Sequence, residues 1–115
     1  MNEKIKIVMM FLLFLFGLVI KTFTAKAETH NTIHINGNED FANQALFNGW
    51  PGNGSEENPY IIRNYEIDAH GGTYCIWIEN TSVYFVIRNC TVWNATCGWP
   101  EPWGAGTYLK NVTNG

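Results

Sequence analysis

Ile62-Arg63-Asn64-Tyr65-Glu66-Ile67 returns as Ile87-Arg88-Asn89-Cys90-Thr91-Val92, 25 residues later. Cys75-Ile76-Trp77-Ile78-Glu79-Asn80 returns more loosely as Gly106-Thr107-Tyr108-Leu109-Lys110-Asn111, 31 residues later. A short apolar–polar–Asn unit recurring every roughly 20 to 30 residues is the pattern of a solenoid, in which each turn buries its apolar face by stacking on the next. Stacking these units lays Ile62 on Ile87, Ile67 on Val92 and Ile78 on Leu109, all inward. It lays Arg63 on Arg88, Glu79 on Lys110 and Trp77 on Tyr108, all outward. Asn64 then lies over Asn89, and Asn80 over Asn111. Asn suits such corners because it tolerates left-handed backbone, and its amide can bond the amide of the next layer.

Outward from these units the chain is readable in pieces. From Pro59 onward the segments are short and alternate with period two, as strands do, with Asn, Gly, Thr or Ser between them. Cys97-Gly98-Trp99-Pro100-Glu101-Pro102-Trp103-Gly104 interrupts the pattern. It reads as a loop inserted into one turn, which accounts for the longer second offset. Before Pro59, Ile33-His34-Ile35 reads as a strand. Asn38 is the expected N-cap of a helix from Glu39 to about Phe47, with acidic residues in its first turn. Phe41, Ala45 and Phe47, with Ala42 and Leu46, are its candidate buried face. Asn48 to Ser55 is turn chemistry throughout.

Residues 1–27 read as a signal peptide. Lys4 and Lys6 make a basic start, Ile7 to Ile20 is uncharged and mostly apolar, and Ala25-Lys26-Ala27 is a small-x-small cleavage site. The apolar run meets Lys21 before the roughly 20 residues a membrane-spanning helix needs. Glu28 is then the expected first residue of an exported chain, with no membrane contact once the leader is removed. After residue 27 only Arg63, Arg88 and Lys110 are basic, against nine acidic residues, a net charge of −6. That balance excludes nucleic acid and anionic membrane surfaces as partners, since both need basic patches. The three cysteines, Cys75, Cys90 and Cys97, would lie in an oxidising compartment. One disulfide pair and one free thiol is the expectation, because no CxxC spacing marks a metal site.

Gly54 to Ile62, with its Pro-Tyr-Ile-Ile ending, and Ile76-Trp77-Ile78-Glu79-Asn80 resemble segments of exported archaeal parallel β-helix repeat proteins. These belong to the family grouped as carbohydrate-binding proteins and sugar hydrolases. Related repeats occur in the periplasmic copper-binding β-helix that helps mature nitrous oxide reductase. The resemblance covers about residues 33–115. It implies an all-β, right-handed parallel β-helix, a solenoid with a short N-terminal helical cap. The organisation is then a strand, cap helix and loop over 28–58 and coils over 59–115. The stop at Asn111-Val112-Thr113-Asn114-Gly115, inside a coil, reads as a C-terminally incomplete piece whose partners include the remaining coils of a longer chain.

The resemblance is poor for function, because the family holds lyases, hydrolases, binders and surface-layer components. The residues lead to an exported cell-surface or secreted protein with a structural or adhesive role. Carbohydrate contact would run through outward Trp77 and Tyr108, with Trp99 and Trp103 on the inserted loop. The alternative is a polysaccharide lyase or glycoside hydrolase whose catalytic coils lie beyond Gly115. Within the chain, Glu66 and Asp68 share a strand face and Glu101 sits on the loop, but no pair of carboxylates flanks a bond as glycosidases require. No cofactor is expected, with one exception. Cleavage after Ala27 would leave Glu28-Thr29-His30, whose terminal amine, two backbone amides and imidazole match the planar nitrogen set that Cu(II) favours. Five N-x-S/T sequons are present. Those at Asn80, Asn89 and Asn111 read as corners, which with Asn64 form the ladder, and Asn53 and Asn94 as the better glycosylation candidates.

Overall fold

The computed structural model describes residues 26–96 and 104–115. The expected signal peptide up to residue 25, and Cys97, Trp99, Glu101 and Trp103 of the inserted loop, lie outside the described residues. Eight strands and one helix follow in order. They are β1 (Glu28–Thr29), β2 (Ile33–Asn36), α1 (Asn38–Asn48), β3 (Tyr60–Arg63), β4 (Tyr65–Asp68), β5 (Tyr74–Thr81), β6 (Phe85–Arg88), β7 (Thr91–Trp93) and β8 (Ala105–Val112). All pairings are parallel. The strands fall into three sheets, of order β1–β4–β7, β2–β5–β8 and β3–β6.

This corrects the expected architecture. The strands do not make one all-β, right-handed β-helical coil. They make three separate parallel sheets of two or three short strands, with an 11-residue helix among them. The physical reason lies at the corners. Asn64 (φ 62°), Asn80 (φ 54°), Asn89 (φ 52°), Asn94 (φ 61°) and Asn111 (φ 53°) all take left-handed backbone. A left-handed residue turns the chain out of the extended conformation: Asn64 separates β3 from β4 and Asn89 separates β6 from β7, whereas Asn80 and Asn111 bend β5 and β8 without ending them.

Within the sheets the residue pairings follow the repeat. Ile62 stands opposite Ile87 and Arg63 opposite Arg88. Ile67 stands opposite Val92, Trp77 opposite Tyr108, Ile78 opposite Leu109 and Glu79 opposite Lys110. Inward positions form the core, with Ile35, Ile62, Ile67, Ile76 and Ile78 fully buried. Burial fades toward the last strand of each sheet. Leu109 is 46 % exposed although its partner Ile78 is fully buried, because among the described residues no strand pairs with the far side of β8.

Helix α1 lies across the apolar interior. Gly37, at φ 96°, is its N-cap, a backbone angle that side chains rarely adopt. Asn38 is therefore the first helical residue rather than the cap. Its Oδ1 accepts from the Thr81 hydroxyl at 2.7 Å and from the Ser82 backbone N–H at 2.9 Å, tying the helix to the end of β5. Phe41 and Ala45, four apart, face inward. The Phe41 ring stacks on Tyr60 at 5.0 Å and meets Phe85 at 5.2 Å and Trp50 at 6.1 Å. Leu46 and Phe47, read as part of the same face, are 85 % and 90 % exposed. At about 100° per residue, position 47 lies roughly two-thirds of a turn away from position 41, so the two cannot share a face. Gly49 closes the helix in left-handed conformation. The turn that follows needs Gly52 (φ 97°), where a Cβ would collide with the Pro59 carbonyl.

Candidate functional site

The outward face of the β2–β5–β8 sheet collects the aromatic residues singled out in the sequence. Strand pairing puts His34, Trp77 and Tyr108 in one column. Alternation supplies the direction: Ile33, Ile35, Ile76 and Ile78 point in, so the residues between them point out. The His34 imidazole lies flat on the Trp77 indole, with centroids 4.2 Å apart and planes 20° apart. Tyr74 and Tyr108 approach Trp77 edge-on from 5.5 and 5.9 Å, at 74° and 71°. Offset and edge-to-face contacts are the favoured arrangements of aromatic rings. Rings turned so far from the Trp77 plane do not continue the His34–Trp77 stack. The result is a wall of three half-buried rings and one exposed imidazole.

Polar groups fringe this wall. His34 Nε2 lies 2.7 Å from Glu79 Oε2. Gln44, reaching over from α1, donates its Nε2 to the His34 carbonyl oxygen at 2.6 Å and to Asp40 Oδ1 at 3.2 Å. Lys110 stands opposite Glu79 on β8. Carboxylate, amide and ammonium groups thus surround an aromatic centre. The sequence reading took His34 only as part of the strand Ile33-His34-Ile35. Its register opposite Trp77 is what makes it part of the wall, and a single strand carries no sign of that register.

The asparagine corners form real ladders. Asn89 Nδ2 donates to Asn64 Oδ1 at 2.8 Å, and Asn111 Nδ2 to Asn80 Oδ1 at 3.0 Å. Two further rungs escaped the sequence reading. Asn80 Nδ2 donates to Asn36 Oδ1 at 3.0 Å, and Asn94 Nδ2 to Asp68 Oδ1 at 2.9 Å. Asn94, read as lying outside the aligned corners, therefore occupies one. Its amide, joined by the His70 backbone N–H at 2.8 Å, holds the Asp68 carboxyl below the usual range. Asn53 is exposed in the turn after α1, where its Oδ1 accepts the Ser55 backbone N–H at 3.1 Å.

The Glu28–His30 segment begins with β1, which lies along β4. The Glu28 backbone N–H donates to the Asn64 carbonyl at 2.8 Å and the His30 N–H to the Glu66 carbonyl at 3.0 Å. The His30 imidazole bonds to Asn48 Oδ1 at 3.0 Å and to the Asn31 carbonyl at 2.7 Å, and packs on the Tyr65 ring at 4.3 Å. A square of nitrogens built from this segment would first have to free the first strand from β4. Among the described residues no group of three or more His, Cys, Asp or Glu side chains could hold a metal ion. Cys75 is buried and Cys90 half-buried, both with free thiols. Glu66 is exposed and Asp68 is tied to Asn94 and His70. Among the described residues no helix is long and apolar enough to cross a membrane. Comparison with protein-family models, with curated proteins and with solved structures finds no match in any of the three.

Proposed function

We propose that this chain is part of an exported, cell-surface or secreted protein with a structural or adhesive role, and that its aromatic wall contacts neutral carbohydrate. The observation that carries this reading is the column His34–Trp77–Tyr108 on three adjacent strands, flanked by Tyr74 and fringed by Glu79 and Lys110. Aromatic rings offer apolar surface to the C–H faces of a sugar, and the fringe offers hydrogen bonds to its hydroxyls. A wall built on sheet strands keeps its rings in fixed positions, which lowers the cost of ordering them on binding. The acidic chain, with its leader removed, favours neutral over anionic polymers at this face.

The test is titration of the purified protein with neutral oligosaccharides of glucose, xylose and mannose, followed by the indole N–H resonance of Trp77. A saturable shift that is lost in Tyr108→Ala and Tyr74→Ala supports the reading. Thermal unfolding checks that both variants remain folded. Absence of any saturable shift across the three sugars would end it.

A further inference from the structure

The chain has only two arginines, Arg63 and Arg88, and both fall at the same place in the repeated Ile-Arg-Asn unit. The structure puts them directly opposite each other on β3 and β6, both exposed. Neighbouring parallel strands run about 4.8 Å apart, so the two side chains leave the same face of the sheet from adjacent positions. Neither makes an ion pair or a side-chain hydrogen bond among the described residues. Eight carboxylate side chains stand among the described residues, and none of them pairs with either arginine. Like charges placed directly opposite each other on adjacent strands destabilise a sheet. The repeat keeps the charge at both positions, while the neighbouring outward position changes from Ile61 to Val86.

The surroundings point the same way. Arg63 opens onto a cleft of about 300 Å³ that it shares with Lys26, Asn48 and Asn64. One carboxylate, Glu28, lines this cleft, yet it makes no ion pair with Arg63. The Asn64 and Asn89 corners directly follow the two arginines, and they are joined by the 2.8 Å bond between their side-chain amides and by the Asn64 N–H donating to the Arg88 carbonyl at 3.3 Å. The stems of both arginines are thus anchored next to a rigid corner.

We propose that Arg63 and Arg88 form an anion-binding clamp for an oxyanion group, a carboxylate or sulfate, that bridges the two guanidiniums. A guanidinium presents a planar fork of N–H donors that matches such oxygens two at a time. Two forks side by side supply four donors and two positive charges. The bridging anion removes the repulsion between the arginines, so binding and sheet stability are linked. This site is separate from the aromatic wall. It lies on the β3–β6 sheet and needs none of the wall's rings, so either reading can fail without the other.

The probes are sodium sulfate, oligogalacturonate and sodium chloride at matched ionic strength, with the purified protein. Thermal unfolding and the Nε–Hε resonances of the two arginines are the readouts. Sulfate or oligogalacturonate should raise the unfolding midpoint and shift both arginine resonances saturably, while chloride does neither. Arg63→Gln and Arg88→Gln should each abolish the anion-dependent rise, and should equal or exceed the wild type in stability when only chloride is present. Arg88→Lys should weaken binding roughly tenfold, since an ammonium cannot fork. A preference for oligogalacturonate over sulfate identifies a carboxylate ligand, and the reverse a sulfate. The clamp is overturned if sulfate and chloride act alike, if either Gln variant keeps the full anion response, or if removing one arginine costs stability in chloride.

Discussion

Ile62 and Ile87 are the same residue at the same place in the repeat and directly opposite each other, yet they should respond differently to truncation. Ile62 is fully buried on β3, in the core cluster that also holds Phe41 and Tyr60. Ile87 is half-buried on β6, the last strand of its sheet among the described residues, where the Phe85 N–H donates onward to the Asn114 carbonyl but no further strand is paired. Cutting a fully buried isoleucine to alanine removes its transfer energy and leaves a cavity, together about 3–4 kcal/mol. For Ile87 only part of the side chain has left water, and the open side lets solvent fill the space. The expected cost there is about 1–2 kcal/mol. Leu109→Ala, at 46 % exposure, should cost about 1 kcal/mol or less. A domain of this size is worth about 5–10 kcal/mol in all, so Ile62→Ala should remain measurable in urea. The midpoint should fall most for Ile62→Ala, with an unchanged slope confirming that the unfolded state is the same. The double variant should depart from additivity, because the two side chains touch across the strands. Equal losses at Ile62 and Ile87 would refute the argument, since β6 would then have to be as well covered as β3.

Three further outcomes follow from the corners and the thiols. Asn89→Ala loses the bond to Asn64 and forces alanine into φ 52°, so it should cost about 1–3 kcal/mol in urea unfolding. Asn89→Gly, which takes that backbone freely, should cost clearly less. The Asp68 carboxyl is held low by Asn94 and the His70 N–H. Its ionised form therefore stabilises the fold above the ordinary aspartate range, and the contribution fades as pH falls through the lowered folded-state value. Carbonyl NMR titration should find the Asp68 value moving back up in Asn94→Ala; no movement would remove Asn94 as the main cause. Burial pushes the Cys75 thiol up, so iodoacetamide should label half-buried Cys90 first and Cys75 only on unfolding. Rapid labelling of Cys75 in the folded state would contradict its position in the core.

Much of the pairing was legible because the repeat carries register. Once Ile62-Arg63-Asn64 is matched to Ile87-Arg88-Asn89, the partners in the β3–β6 sheet follow, and with them the first amide rung. The same holds for Trp77 against Tyr108 and Glu79 against Lys110. What the repeat does not carry is how the pieces join. The left-handed corners at Asn64 and Asn89 fall between sheets while those at Asn80 and Asn111 fall inside one, and residue identity alone does not tell a bend within one sheet from a boundary between two. Asn36 was missed because its backbone pairs with Glu79 while its side chain bonds Asn80, a diagonal offset that hides the match. Asp68 was missed because that rung joins unlike residues. His34 was misread for a similar reason, since β2 is short and has no sequence twin. The buried face of α1 was misjudged where helical spacing could have settled it, at Phe47.

The asparagine rungs all point one way. Asn111 donates to Asn80, Asn80 to Asn36, Asn89 to Asn64, and Asn94 to Asp68. Every side-chain amide hands its hydrogen toward the earlier strands and turns its oxygen toward the later ones. Aligned amides polarise one another, so each added rung strengthens the previous one. The stack is therefore electrically polar, and its oxygen-bearing end lies at β6, β7 and β8, the last strand of each sheet among the described residues. Two copies meeting edge to edge would bring Asn89, Asn94 and Asn111 oxygens against their own kind. The corners that order the layers also place like partial charges along this border, one of the two at which the sheets end, the other being β1, β2 and β3.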